Sequence, residues 1–165
     1  MVLLTALAAM LVAAEPSTAA AQNRLGGHVG FVLPLVTHAQ GETTTISEDF
    51  VIGFPMGITV RKSDTVAFDL ELVPGAQNDP LHVDLTVHPG VVFGLGRGVG
   101  AGIRAAFDVN KPSWGFTPIL NKGLLQVGGG TTLFAELVAP VRFQEDSRGA
   151  SFTSVGVGVH IGAGF

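Results

Sequence analysis

From Ser154 to Phe165 the chain alternates without interruption. Val155, Val157, Val159, Ile161, Ala163 and Phe165 fall on one side, while Ser154, Gly156, Gly158, His160, Gly162 and Gly164 fall on the other. A period of two belongs to an extended strand with unlike faces, because successive side chains of a strand point in opposite directions. The same pattern recurs along the chain. Phe50, Ile52, Phe54, Met56, Ile58 and Val60 oppose Val51, Gly53, Pro55, Gly57, Thr59 and Arg61. Val66, Phe68, Leu70 and Leu72 oppose Ala67, Asp69, Glu71 and Val73, and Leu133, Ala135, Leu137, Ala139, Val141 and Phe143 oppose Thr132, Glu136 and Arg142. No segment outside the first residues has a helical period, so the repeated alternation confines the chain to an all-β architecture.

Turn residues divide these runs into about eight strands, near 26–37, 48–61, 65–73, 81–95, 98–109, 115–128, 131–143 and 150–165. In the sixth, Pro118, Asn121 and Gly123 interrupt the pattern. The breaks at Arg61–Asp64, Gly96–Gly98 and Gly128–Gly130 are tight, and those at 38–47, 74–80, 110–114 and 144–149 are longer or more polar. Short turns at one end, longer loops at the other and an even strand number describe an up-and-down antiparallel transmembrane β-barrel.

Composition decides which face looks outward. Only 13% of the residues are charged, against about 25–35% on an ordinary soluble surface. The polar rows are mostly glycine with scattered single charges, too poor for a water-exposed exterior. The other rows are nearly unbroken Val, Leu, Ile and Phe, with Phe50, Phe107, Phe143 and Phe165 near strand ends, where the aromatic girdles of membrane barrels sit. Small and polar residues inside, with a bulky apolar belt outside, suit lipid. The chain has no cysteine, which excludes disulfides, thiolate metal sites and cysteine nucleophiles. A net charge of −4 argues against nucleic acid as a partner. Residues 1–21 read as a signal peptide: an apolar segment, Pro16 and then Ala19-x-Ala21 as a cleavage pattern. Residues 22–165 form the barrel domain.

The candidate chemistry lies on the inward rows. Glu71, His88, Arg104, Glu136 and His160 fall near mid-strand, and His82, Asp84, Asp108 and Arg142 toward the loop rim. Counted up from the tight turns, Glu71, Arg104 and Glu136 reach one level, with Arg104 as the cation facing two carboxylates. Unpaired buried charges are costly, so these residues are expected to form a lumen polar network. No metal or other cofactor is expected: His82 and His88 share a face but stand about 20 Å apart at strand rise. Ser154, His160 and Asp84 could be assembled into a hydrolase only in name, since no G-x-S-x-G elbow is present. The glycine clusters at 96–98 and 128–130 open no helix and read as hairpin turns rather than phosphate loops. Eight strands enclose an interior just wide enough for side chains, so the lumen should be plugged rather than a diffusive pore.

From Gly26 to Phe165 the chain resembles the small eight-stranded outer-membrane β-barrel proteins of Gram-negative bacteria, the OmpA/OmpX-like group. The stretch Val157-Gly158-Val159-His160-Ile161-Gly162-Ala163-Gly164-Phe165 carries the resemblance most specifically. It implies that Val157, Val159, Ile161 and Phe165 act as an assembly signal read by the barrel-assembly machinery. It also implies outer-membrane lipid as the surroundings, a monomer, and a structural role or a surface partner met through the longer loops. The chain departs from the group in having no Tyr and one Trp. Two other readings remain: a secreted or periplasmic lipocalin-like barrel carrying an apolar ligand, and a lipid-modifying outer-membrane enzyme.

Overall fold

Prolines and tight turns decide where the strands stop. The computed structural model describes residues 24–78, 81–109 and 111–165; the expected signal peptide, residues 1–21, lies outside them. The strands are β1 (Leu25–Ala39), β2 (Glu42–Thr45), β3 (Val51–Gly53), β4 (Met56–Arg61), β5 (Val66–Asn78), β6 (Leu81–Gly96), β7 (Val99–Asp108), β8 (Ser113–Gly128), β9 (Thr131–Val138), β10 (Val141–Glu145) and β11 (Ser151–Gly164). All pairings among them are antiparallel, and the ladder returns to its start: β11 pairs with β1 from His28↔Gly164 to Ala39↔Ser154.

The eleven strands occupy eight positions around this ring, with β2 lying against β1 in the same position as β3 and β4. β3 and β4 both lie between β1 and β5, and β9 and β10 both lie between β8 and β11. Each pair is one strand split at a proline, Pro55 or Pro140, which has no N–H to give the ladder. The carbonyls carry the pairing across the gap: the N–H of Gly30 donates to Pro55 O at 3.0 Å, and that of Gly156 to Pro140 O at 2.9 Å.

Three expectations about the connections need correction. The segment 74–80 is not a long loop, because β5 runs on to Asn78 and pairs with β6 as far as Asn78↔Leu81. The segment 38–47 holds the hairpin of β1 and β2, closed by Gln40 (φ 52°) and Gly41 (φ 84°), the paired positive φ values of a two-residue type I′ turn. The sixth strand keeps its alternation through Pro118, with Ser113, Gly115, Thr117 and Ile119 buried and Trp114, Phe116, Pro118 and Leu120 exposed; its register with β9 slips only later, between Gly123 and Leu125 and between Gln126 and Gly128. Its proline simply takes an outward position.

Burial is the reverse of that in a water-soluble domain. The buried hydrophobic set is Ala106, Ile119 and Val138, whereas His28, Asp69, Glu71, His88, Arg104, Thr117, Glu136, Ser154 and His160 are all buried. Outward rows such as Phe54, Met56, Ile58 and Val60, or Phe68, Leu70 and Leu72, are exposed. Polar residues therefore fill the middle of the ring and apolar residues cover its outside.

Candidate functional site: a polar septum across the ring

Cross-strand register builds the centre of the lumen. Glu71 on β5 stands opposite His88 on β6, and Glu136 on β9 opposite His160 on β11. Arg104 on β7 faces Gly90, which on its other side faces Asp69. His28 on β1 faces Gly57, which on its other side faces Glu71. The glycines are what let the long polar groups lie across the interior. A Cβ on Gly57 would come within 2.2 Å of the His28 ring, and one on Gly90 within 2.6 Å of the Arg104 side chain.

Arg104 is the hub. Its Nε donates to Asp69 Oδ2 at 2.9 Å and its Nη1 to Glu136 Oε1 at 2.7 Å, and Nη1 lies 3.6 Å from Glu71 Oε2. The other acceptor positions are also used. Thr59 Oγ1 donates to Asp69 Oδ1 at 2.8 Å. His28 Nε2 and His88 Nδ1 sit 2.9 and 3.1 Å from the two oxygens of Glu71. Arg142 Nη2 lies 3.0 Å from His88 Nε2. Arginine can only donate, so His88 accepts through Nε2, which leaves its Nδ1–H to donate to Glu71. His160 Nδ1 lies 3.3 Å from Glu136 Oε1. Phe134 turns inward and meets the His160 ring edge to face, with centroids 5.0 Å apart.

Charge and solvent access follow from this arrangement. Three carboxylates surround one guanidinium, and Arg104 and Glu136 are only 4% and 2% exposed. Removing one member of a buried pair strands the others, at a cost of about 3–5 kcal/mol. Two cavities flank the layer: about 340 Å³ on the loop side and about 380 Å³ on the turn side. Arg104 and Glu136 line both, so the ion-paired layer is a septum between two vestibules.

The structure thus brings Glu71, His88, Arg104, Glu136 and His160 into one connected network. Sequence reasoning left out two members, His28 and Asp69. Asp69 shares the polar row of β5 with Glu71 and was readable from the alternation. His28 sits among Gly26, Gly27 and Gly30, where absent side chains hide the period. One ligand atom each from His28, Asp69 and Glu71 lies within 4.8 Å of the others, but their polar atoms already serve Arg104, Thr59, His88 and one another.

Of the residues expected at the rim, Arg142 joins the network through His88, whereas His82, Asp84 and Asp108 stand apart from it. Asp84 accepts from Lys111 Nζ at 2.7 Å and lies 3.4 Å from His82 Nε2, and Asp108 accepts from Thr86 Oγ1 at 2.6 Å. Ser154 Oγ accepts from Gln144 Nε2 at 2.7 Å, while His160 faces Glu136 and Asp84 faces Lys111, so these three form no triad. Of the terminal residues, Val157, Ile161 and Phe165 are exposed on the outer face and Val159 is half-buried. The backbone of Phe165 exchanges two hydrogen bonds with Gly27, at 2.8 and 2.9 Å.

Fold and site together define a closed antiparallel β-ring with a charged, side-chain-filled interior and an apolar exterior. No family model matches the chain, and no curated protein matches it. Among solved structures it is similar to a chain from the "De novo design of transmembrane beta-barrels", at 15% identity and a TM-score of 0.36, over 84% of this chain and 94% of that one.

Proposed function

We propose that this chain is a non-enzymatic outer-membrane β-barrel protein of a Gram-negative bacterium, with a plugged lumen and a structural or surface-interaction role. The observation that carries the reading is the inverted burial: charges inside, and outward rows of Phe, Leu, Ile and Val left uncovered. Such rows would aggregate in water, but they match the outward apolar band of a membrane barrel. The strands are long enough for the task. β1 has 15 residues and β6 and β8 have 16 each, where about 9–11 tilted residues cross a bilayer. Trp114 and Phe143, with ring centroids 4.7 Å apart, lie outward near the loop end, as interfacial aromatics would. The partners in this reading are outer-membrane lipid, the barrel-assembly machinery acting on Val157, Val159, Ile161 and Phe165, and a surface partner at the loops.

Fractionation tests it. Retention in the outer membrane after carbonate washing, with heat-modifiable migration on a denaturing gel, is the expected result. Recovery as a soluble periplasmic protein would overturn it in favour of the ligand-carrying soluble barrel. Deleting Phe165 should lower outer-membrane yield, and unchanged yield at native expression would remove the assembly signal from the proposal.

A further inference from the structure

The loop-side vestibule contains a cation that no carboxylate among the described residues meets in an ion pair. Arg142 Nη1 donates to Thr117 Oγ1 at 3.0 Å, Phe116 O at 3.3 Å and Val141 O at 3.1 Å, and Nη2 donates to His88 Nε2 at 3.0 Å. All four partners are uncharged. Among the described residues no carboxylate lies within ion-pair distance of its guanidinium; Asp108 acts on it only from farther away and is itself held by Thr86. The other cations that line this vestibule are already paired, Lys111 with Asp84 and Arg104 with Asp69 and Glu136. A half-buried charge whose nearest counter-charge stands off at a distance is only partly compensated, and a bound anion would complete the compensation.

The walls say what sort of anion. Val32, Val51, Val73 and Pro140 form an apolar wall of the cavity that Arg142 lines, with polar groups such as Gln144 and Ser154 among them, so the guanidinium stands in a polar patch with apolar wall within the same cavity. A free inorganic anion would use only the polar part of this lining, whereas a ligand with an apolar body would also bury surface against the Val and Pro wall. The volume of about 340 Å³ is at the lower end of small-molecule sites, which run to about 300–1,000 Å³, so the body is one ring or a short chain. A single unpaired cation, with Asp84 and Asp108 at the rim, favours one negative charge over two. We propose that this vestibule is a binding site for a compact amphiphilic monocarboxylate, its carboxylate on Arg142 and its body along the Val and Pro wall. The septum closes the floor, so the site is a dead end.

The test uses the full barrel refolded in uncharged nanodiscs, titrated with benzoate, benzyl alcohol and inorganic phosphate by calorimetry and ligand-observed NMR. Benzoate should bind saturably, and the neutral alcohol and the phosphate at least tenfold more weakly. Arg142→Gln should weaken benzoate at least tenfold, Asp108→Asn should tighten it, and Arg61→Gln, in the other vestibule, should leave it unchanged. Val73→Trp, which narrows the cavity without removing a charge, should also abolish binding and keeps the test sound if Arg142→Gln does not fold. Equal binding of benzyl alcohol would overturn the anion requirement, and equal binding of phosphate would overturn the apolar body. Benzoate uptake that is unsaturable, or unaltered by Val73→Trp, is partition into lipid and would overturn the site. The nanodisc format rests on the membrane reading, and the same titration is run in water if fractionation finds the protein soluble; loss of benzoate binding in either format overturns the site alone.

Discussion

Two inward arginines, Arg104 and Arg142, lie in one lumen but in opposite circumstances. Arg104 is surrounded by Asp69, Glu71 and Glu136, with bonds at 2.9 and 2.7 Å to the first and last. Arg142 has only neutral partners and an open cavity beside it. The glycines repeat the contrast. Gly90 lies hard against Arg104, while Gly75 has nothing within 4 Å of where its Cβ would be. Where the ring is filled, every charge is answered from within; where it widens, one charge and some space are left over. The first region is built to hold the ring together and the second is free for other uses.

The largest expected effect comes from the hubs themselves. Arg104→Ala should cost about 3–5 kcal/mol at neutral pH, the price of stranding buried partners. Arg142→Ala should cost less, about 1–3 kcal/mol, since it removes hydrogen bonds to uncharged groups. Arg97→Ala, in a turn, is the control. Urea unfolding in bilayers measures all three, and equal losses at 104 and 142 would erase the distinction. A double-mutant cycle of Arg104 with Glu136 sharpens it, since coupling near zero would mean that the two are separately hydrated.

Next comes the contrast between exterior and vestibule. Leu137 is 48% exposed on the outer face, whereas its neighbour Val138 is 8% exposed and faces the loop-side cavity. Leu137→Arg should cost about 2–4 kcal/mol, as for a charge on the lipid face at mid-bilayer. Val138→Arg should cost less, because its side chain can extend into the cavity. The reverse order would exchange inside and outside.

Smaller still is the glycine comparison. Gly90→Ala should destabilise by about 1–3 kcal/mol through overpacking against Arg104 and the Ile103 carbonyl. Gly75→Ala should be neutral or stabilise by up to about 1 kcal/mol, by restricting the unfolded chain. Thermal melting of the two variants decides the matter, and equal losses would mean that the vestibule is as tightly filled as the septum.

The smallest effect lies outside the barrel wall, at the loop between β10 and β11. There the N–H of Ala150 donates to Asp146 at 2.9 Å, and the Arg148 guanidinium and N–H add bonds at 3.0 and 2.8 Å. These hold the Asp146 carboxyl below its usual value. A group depressed in the folded state stabilises above its unfolded value and loses that contribution as pH falls through the folded one. Proteolysis of residues 146–150 should therefore speed up under acid conditions below the usual carboxylate range. Asp146→Asn should remove the pH dependence, and neither change should reach the septum.

Much of this was legible in the alternation, because a ring with one apolar and one polar face writes itself as a period of two. Glu71, Arg104 and Glu136 could be brought to one level by counting from the turns, since rise per residue is nearly constant along a strand. Residue identity misled where it outweighed period. Pro74, Gly75 and Asn78 have turn chemistry, yet they extend β5, where the Pro74 carbonyl rather than its missing N–H is used, accepting from Phe54 at 2.8 Å. Pro118 likewise looked like a break but kept phase. His28 was hidden because glycine supplies no face, and its role depends on Gly57 and Glu71, far along the chain. That Arg142 has no carboxylate in ion-pair contact was beyond any one-dimensional reading, because it is a fact about three dimensions.

The pairing of β1 with β11 also bears on how the molecule comes into being. Most other neighbours in the ring are close in sequence and can zip locally, whereas this seam joins His28 to Gly164. Long-range contacts of that kind form slowly, since loop closure must precede the contacts that reward it. Until the seam joins, β1 and β11 each present an open edge able to pair with another chain. The same seam completes the wall around the septum by bringing His28 on β1 alongside His160 on β11. Closing the seam is therefore also what completes the interior, and an unclosed sheet would be both adhesive and hollow.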